Sequence, residues 1–106
     1  NKDYHSTISF CQLAIQLRPD VGRYHHLLGQ ARGMNPTYRW QKQAEKDLRK
    51  ACELEPFSAD FLVTLGSLYQ KQGLDLRART TFEKAIEIVP THEEARAGLR
   101  KLRSRS

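Results

Sequence analysis

Long hydrophobic runs are missing from this 106-residue sequence, and cysteine and proline are scarce. No apolar stretch approaches the roughly 18 residues that a membrane-spanning helix needs, and the first residues do not show the basic-then-apolar pattern of a signal peptide. Two cysteines, Cys11 and Cys52, cannot build a disulfide framework, so we expect a reducing, cytoplasmic location. Four prolines exclude collagen-like or proline-rich sequence. The composition therefore predicts one small, mostly helical domain with no membrane association.

Positive charge is in excess, with 18 Lys and Arg against 12 Asp and Glu and a net charge of +6. Many basic residues have an acidic neighbour at helical spacing, which is typical of a solvated helix face. Lys42, Lys46 and Lys50 form a less common pattern, a basic row at every fourth position near Tyr38 and Trp40. Such a row suits a phosphate backbone. A nucleic-acid-binding surface is therefore an alternative, although a protein partner is favoured.

A pattern of small residues and prolines recurs along the chain. An alanine lies five residues before each of Pro19, Pro56 and Pro90, and a Leu-Gly pair ends at Gly29 and again at Gly66. These three prolines lie 37 and then 34 residues apart. Repetition at this period is typical of stacked helix pairs, in which small side chains let the helices approach closely.

The two unequal periods locate an insertion. Gly29 and Gly66 are 37 residues apart, whereas Ala44 and Ala78 are 34 apart. Three extra residues therefore lie between Gly29 and Ala44. The Asn-Pro turn signal within residues 34–39 favours that segment as their place.

Residues 59–92 resemble the tetratricopeptide repeat (TPR). Residues 22–58 resemble a second repeat with the three-residue insertion, and residues 1–21 resemble a half repeat. Residues 93–106 resemble a capping helix with a basic tail. The resemblance implies an all-α single domain, an α-solenoid of six helices in antiparallel pairs that form a TPR-like superhelix. The residues that match the family pattern in 59–92 are Ala59, Leu62, Leu65, Gly66, Tyr69, Ala78, Phe82, Ala85 and Pro90.

Hydrophobic spacing and capping residues predict where the helices begin and end. We expect helices at about residues 3–17, 21–32, 36–54, 59–72 and 74–88, and a sixth from residue 91. The expected N-terminal caps are Asp20, Asn35, Ser58 and a capping box formed by Thr91 and Glu94, and the expected C-terminal caps are Gly33 and Gly73.

The resemblance also implies a function. In such arrays the first helix of each pair lines a concave groove that binds a peptide or protein, so we expect a non-enzymatic scaffold. The positions that match the groove are Arg23, His26, Leu27, Gln30, Asp60, Val63, Thr64, Ser67, Lys71 and Lys101. Some family members clamp the C-terminal carboxylate of heat-shock chaperones with Lys, Asn, Asn, Lys and Arg. The five matching positions here are His26, Gln30, Thr64, Glu94 and Gly98, which argues against that clamp.

No pattern in the sequence indicates catalysis. A glycine-rich phosphate loop is missing, as are His-x-x-x-His and Cys-x-x-Cys spacings, so we expect no catalytic residue, cofactor or metal. Cys11 and Cys52 fall on apolar helix stripes, which predicts inert core thiols. We expect Trp40 to pack over the insertion.

Two further expectations concern the start of the chain. It begins at Asn1 and its single methionine is Met34, so we expect a piece of a larger multidomain protein. The insertion and the next helix are similar to segments of bacterial J-domain or signalling proteins. The half repeat leaves one side of Ile8, Cys11 and Ile15 without cover, which makes self-association as a homodimer an alternative function.

Overall fold

A computed structural model describes residues 4–104, and within that range the chain forms six α-helices and no strand. This confirms the all-α prediction with six helices. The predicted first helical residue, Asp3, and the last two residues of the basic tail lie outside the described residues. The helices are α1 (Tyr4–Leu17), α2 (Gly22–Gly33), α3 (Tyr38–Leu54), α4 (Ala59–Lys71), α5 (Asp75–Ile88) and α6 (Glu93–Ser104). The chain divides into two compact units, one ending at Pro56 and the other beginning at Phe57.

The first unit is a hairpin of α2 and α3, with α1 packed on α2. Its core contains Cys11 from α1, Leu28 from α2 and Leu48 from α3, each at most 4% exposed. A methyl group added at Gly29 would lie 2.7 Å from Leu48 Cγ. The glycine therefore allows the close contact between α2 and α3 that buries Leu48.

The second unit packs α5 between α4 and α6, which also touch each other. Phe82 of α5 is 1% exposed and is the largest fully buried side chain. Its ring lies against Gly66 of α4 on one edge and Gly98 of α6 on the other. A Cβ atom added at Gly66 would lie 2.8 Å from Cε1, and one added at Gly98 would lie 2.5 Å from Cε2. Two backbones thus enclose one aromatic ring, and any larger residue at either glycine would collide with it.

Both predicted caps of α4 are confirmed. The Ser58 hydroxyl accepts a hydrogen bond of 3.2 Å from the Phe61 N–H at the start of the helix. Gly73 follows the helix end with φ of +77°, a left-handed conformation that favours glycine. The Leu74 N–H then donates to the Tyr69 carbonyl at 2.9 Å, which closes the terminus in the usual glycine-ended pattern.

The predicted cap of α2 is wrong. Asp20 does not cap the helix, because α2 begins at Gly22 with Val21 as its N-cap and has no side-chain hydrogen bond there. The Asp20 carboxylate instead accepts from the Arg18 guanidinium at 3.2 Å. This ion pair holds the pKa of Asp20 below its usual value.

The turn between α2 and α3 also differs from its prediction. Gly33 is the last residue of α2, and among the described residues only Gly73 has a positive φ. α3 begins at Tyr38, two residues later than expected, with Thr37 as its N-cap. Asn35 Oδ1 accepts from the Thr37 N–H at 3.0 Å, so its side chain shapes the turn and does not cap the helix.

The most exposed apolar side chains of α1 are not the predicted ones, since Ile8 and Ile15 are half-buried. Cys11 is fully buried, because the side of α1 that carries it packs on α2. Exposure falls instead on Phe10 (62%), Leu13 (57%) and Leu17 (73%), a different stripe of the same helix. No helix of the described residues has both the length and the apolar character needed to span a bilayer.

Candidate functional site

Four of the predicted groove residues lie on α2. Arg23 and Gln30 are exposed, His26 is half-buried and Leu27 is 36% exposed. This face therefore offers one guanidinium, one amide and one apolar side chain to solvent. It is the surface of the first unit that the family resemblance predicts as part of the binding groove.

Five more predicted residues lie on α4, and Lys101 is exposed on α6. Asp60, Ser67 and Lys71 are exposed, and Thr64 is half-buried. Val63 differs from these, since an exposure of 5% leaves little of its side chain for a partner to contact. The accessible part of this face is polar.

His92 is a residue of this region that the sequence did not point to. Its Nε2 lies 2.8 Å from Asp60 Oδ1, and its Nδ1 lies 3.4 Å from the Ala95 backbone nitrogen. The second contact makes Nδ1 the acceptor for a backbone N–H in the first turn of α6, so Nε2 carries the proton and donates to Asp60. The predicted capping box of Thr91 and Glu94 is therefore wrong, because α6 begins at Glu93 and His92 takes the capping position.

Replacing His92 with alanine should destabilise the second unit by about 1 kcal/mol, the usual cost of losing a helix N-cap. The same change frees Asp60, which is 81% exposed and otherwise held by the imidazole. Urea unfolding followed by circular dichroism measures the loss. His5→Ala, an exposed position on α1, is the control and should leave the unfolding midpoint unchanged. Equal stability of the two variants would show that His92 has no capping role.

Arg32 joins α2 to α3 at the end of their hairpin. Its Nη1 donates to Asp47 Oδ2 at 3.0 Å and to Gln43 Oε1 at 3.2 Å. The Arg32 and Asp47 side chains are only 14% and 13% exposed. Burial raises the pKa of the Asp47 carboxyl, and the Arg32 charge acts in the opposite direction. The pair is therefore a nearly buried ion pair whose two charges depend on each other.

Trp40 is half-buried beside this ion pair. The Arg32 guanidinium carbon lies 5.9 Å from the centre of the Trp40 ring, within reach of a cation–π contact. Arg32, Arg39, Trp40 and Gln43 together line an open depression of about 370 Å³ at the end of the hairpin. The ring thus packs against Arg32 beside the insertion and also forms part of a concave surface.

The basic row on α3 is partly neutralised. Lys42 Nζ lies 3.4 Å from Glu45, and Lys50 Nζ lies 3.8 Å from Glu53. Lys42 also lies 5.9 Å from the centre of the Tyr38 ring. Two of the three lysines therefore have carboxylate partners on their own helix, which weakens the field that a phosphate backbone would meet.

The two thiols differ in exposure. Cys11 is fully buried, and Cys52, predicted to be a core thiol, is half-buried. Burial raises the pKa of the Cys11 thiol, and the nearby Asp47 carboxylate adds to the rise. Within residues 4–104, His, Cys, Asp and Glu side chains form no group of three that could hold a metal ion.

Iodoacetamide should therefore modify Cys52 well before Cys11 in the folded protein, since the thiolate is the reactive form and Cys11 is both shielded and harder to ionise. Peptide mass spectrometry after timed quenching measures the two rates. In denaturant the two cysteines should react at similar rates. Faster labelling of Cys11 in the folded state would contradict its buried position.

Comparisons with known proteins give a family match and close structural similarities. Residues 59–92 match the family described as tetratricopeptide repeat. Comparison with curated proteins gives no significant match. The TPR domain of Arabidopsis OM64 is 19% identical with a TM-score of 0.87, over 97% of this chain and 83% of that one.

Two of the similar structures contain peptides. The second TPR domain of human RPAP3, in complex with the HSP70 peptide SGPTIEEVD, is 19% identical over 94% of this chain and 81% of that one, with a TM-score of 0.80. The Yersinia enterocolitica type III secretion chaperone SycD, in complex with a peptide of the translocator YopD, is 14% identical over 96% and 81%, with a TM-score of 0.83. Residues 59–92 thus match the tetratricopeptide repeat, and the chain has the fold of tetratricopeptide-repeat domains.

Proposed function

We propose that this domain is a non-enzymatic scaffold that binds a peptide or protein segment through the outward-facing residues of α2 and α4. The observation that carries the proposal is the fold, which it shares with domains that hold peptides in RPAP3 and SycD. The groove residues add to it, because Arg23, Gln30, Ser67 and Lys71 are exposed and contribute nothing to the core. The larger multidomain setting, with a bacterial J-domain or signalling protein as its suggested parent, stays a prediction, as does a cytoplasmic location.

The mode of binding should differ from that of a carboxylate clamp. Of the positions that match the clamp, Glu94 is acidic and Gly98 is buried against Phe82, so neither can supply the cation that a terminal carboxylate needs. A ligand is held instead by side-chain and backbone contacts along the peptide. The C-terminal charge of the ligand should therefore matter little.

A selection from a random peptide library, followed by calorimetry on the selected peptides, tests the proposal. We expect peptides whose affinity falls about tenfold, or 1.4 kcal/mol, in a domain carrying Arg23→Ala with Gln30→Ala. The control is Glu83→Ala, an exposed change on α5, which should leave the affinity unchanged. If no peptide is selected, or if selected peptides bind both variants equally, the α2 surface is not the binding site.

The clamp is tested separately with the peptide SGPTIEEVD as a free acid and as a C-terminal amide. We expect the two forms to bind equally well or equally poorly. A clear preference for the free acid would show that this domain recognises a terminal carboxylate after all.

Self-association is a second candidate, favoured by the exposed stripe of Phe10, Leu13 and Leu17. α1 contains no lysine, arginine, aspartate or glutamate, so two copies of a chain with net charge +6 could meet along it without opposing like charges. Light scattering at low and high concentration tests this alternative, with Leu13→Glu as the disrupting variant. A strict monomer at high concentration would remove it.

Nucleic-acid binding is the weakest of the three functions, given the carboxylate partners of Lys42 and Lys50. Binding that survives nuclease treatment and falls little with salt would support a protein partner over it.

A further inference from the structure

The depression beside the insertion lies outside the predicted groove. The groove residues of α2 are Arg23, His26, Leu27 and Gln30, whereas the depression is lined by Arg32, Arg39, Trp40 and Gln43. A volume of about 370 Å³ is large enough for one or two side chains of a ligand. The insertion-bearing turn supplies the connection between Arg32 at the end of α2 and the other three residues at the start of α3.

The hydrogen-bonding groups left free in this depression are mainly donors. Gln43 Oε1 already accepts from Arg32, and the Gln43 NH₂ group has no hydrogen-bond acceptor among the described residues. Within residues 4–104, neither the Arg39 guanidinium nor the Trp40 indole N–H forms a hydrogen bond. A guanidinium, an indole N–H and an amide NH₂ are all donors, so they favour a ligand that accepts hydrogen bonds.

The charge in the depression comes from Arg39. Arg32 is matched by Asp47 at 3.0 Å, so that pair carries little net charge. Arg39 is exposed and has no carboxylate partner in the described part of the chain. A guanidinium with all its donors free favours a carboxylate, which can accept two parallel hydrogen bonds from it.

The Trp40 ring adds an apolar wall. An indole face suits the methylene groups of a side chain better than it suits a small hydrated ion. The combination of one free guanidinium, two further donors and a flat apolar surface therefore fits a glutamate or aspartate side chain on a peptide.

We propose that the depression lined by Arg39, Trp40 and Gln43 is a binding site for a carboxylate side chain of an acidic peptide segment, separate from the predicted groove. Arg39 binds the carboxylate, Gln43 donates a further hydrogen bond, and the Trp40 ring packs against the aliphatic part of the same side chain. The site holds the acidic segment of a partner whether or not the groove on α2 is occupied.

Trp40 is the only tryptophan in the chain, so its fluorescence reports directly on the site. The experiment is a titration with a hexaglutamate peptide that is acetylated and amidated at its ends, with the matching hexaglutamine peptide as the neutral probe. We expect a saturable change in Trp40 emission with the glutamate peptide, weakened by salt, and no saturable change with the glutamine peptide.

The decisive comparison is between two variants with the same change in net charge. Arg39→Gln should weaken binding of the glutamate peptide about tenfold, the scale of one lost charge-assisted hydrogen-bonding pair. Arg100→Gln, an exposed position in the second unit, should leave it unchanged. Equal loss in both variants would mean that only net charge matters and would overturn the proposal.

Two further titrations separate this site from its neighbours. Inorganic phosphate that saturates the same signal with the same affinity would show a general anion site and overturn the assignment to a carboxylate side chain. Gln30→Ala should not affect binding of the glutamate peptide. A loss of affinity in this variant would show that the peptide binds in the groove on α2 instead. The proposal for the groove can therefore fail while the proposal for the depression holds, and the reverse.

Discussion

Replacing Phe82 with alanine is expected to lower the free energy of unfolding by about 3–5 kcal/mol, the usual cost of truncating a buried phenylalanine. The ring is 1% exposed and lies between Gly66 and Gly98, so its removal leaves a cavity that borders all three helices of the second unit. The two glycines have no side chains that could move in to fill it. Urea unfolding followed by helical circular dichroism measures the loss.

Leu76→Ala provides the matched control on the same helix. Leu76 is 72% exposed, so its truncation should change the free energy of unfolding by less than about 0.5 kcal/mol. If Phe82→Ala does not fold, Phe82→Leu should show a smaller loss in the same direction. Equal stability of the Phe82 and Leu76 variants would contradict the packing of the second unit.

Arg32→Ala is expected to cost about 2–4 kcal/mol, because it leaves the Asp47 carboxylate nearly buried without its cation. The change also removes the guanidinium that lies over Trp40, so the tryptophan emission of the folded protein should shift. Burial already raises the pKa of Asp47, and loss of Arg32 raises it further. Protonation then removes the unpaired charge as the pH falls through that pKa, so the difference from the unsubstituted protein should narrow in acid.

Arg18→Ala breaks an ion pair of the same type on the surface and serves as the control. The Arg18 and Asp20 side chains are each 65% exposed, and solvent screens the charge that is left. Its unfolding midpoint should not change. A loss as large as that of Arg32→Ala would show that burial does not set the cost of breaking the pair.

The helices and the core contacts could be predicted from the sequence. Gly66, Ala78, Phe82 and Ala85 recur at family positions because small side chains mark the places where two backbones meet, and a large residue must then fill the space between them. Such contacts follow the repeat period and can therefore be predicted from the sequence alone.

Several helix ends, unlike those of α4, and the proposed acidic-peptide site could not be predicted in the same way. Asp20 has the residue type of a cap, but Arg18 competes for its carboxylate two residues away. Arg32 and Asp47 are 15 residues apart and meet only through the hairpin. Which apolar side chains of α1 are exposed depends on the side that faces α2. The apolar spacing alone pointed to Ile8, Cys11 and Ile15, of which Cys11 is buried and the other two are half-buried.

His92 shows a third reason why some features of the site could not be predicted from the sequence. Its imidazole replaces a serine or threonine cap and at the same time contacts Asp60, 32 residues earlier in the chain. The residue before a Glu-Glu pair at a helix start is a signal that could have drawn attention to His92. Its bond to α4 depends on the packing of α6 and has no local sequence pattern.

Nuclear Overhauser effects between glycine Hα protons and the Phe82 ring test most directly whether small residues let the helices pack as described. The close contacts of Gly66 and Gly98 with this ring predict strong effects from both residues, with Hα resonances shifted by the ring current. Absence of both effects, with Hα shifts of an unfolded chain or of a loosely packed bundle, would contradict the helix packing that positions the proposed binding residues of α4.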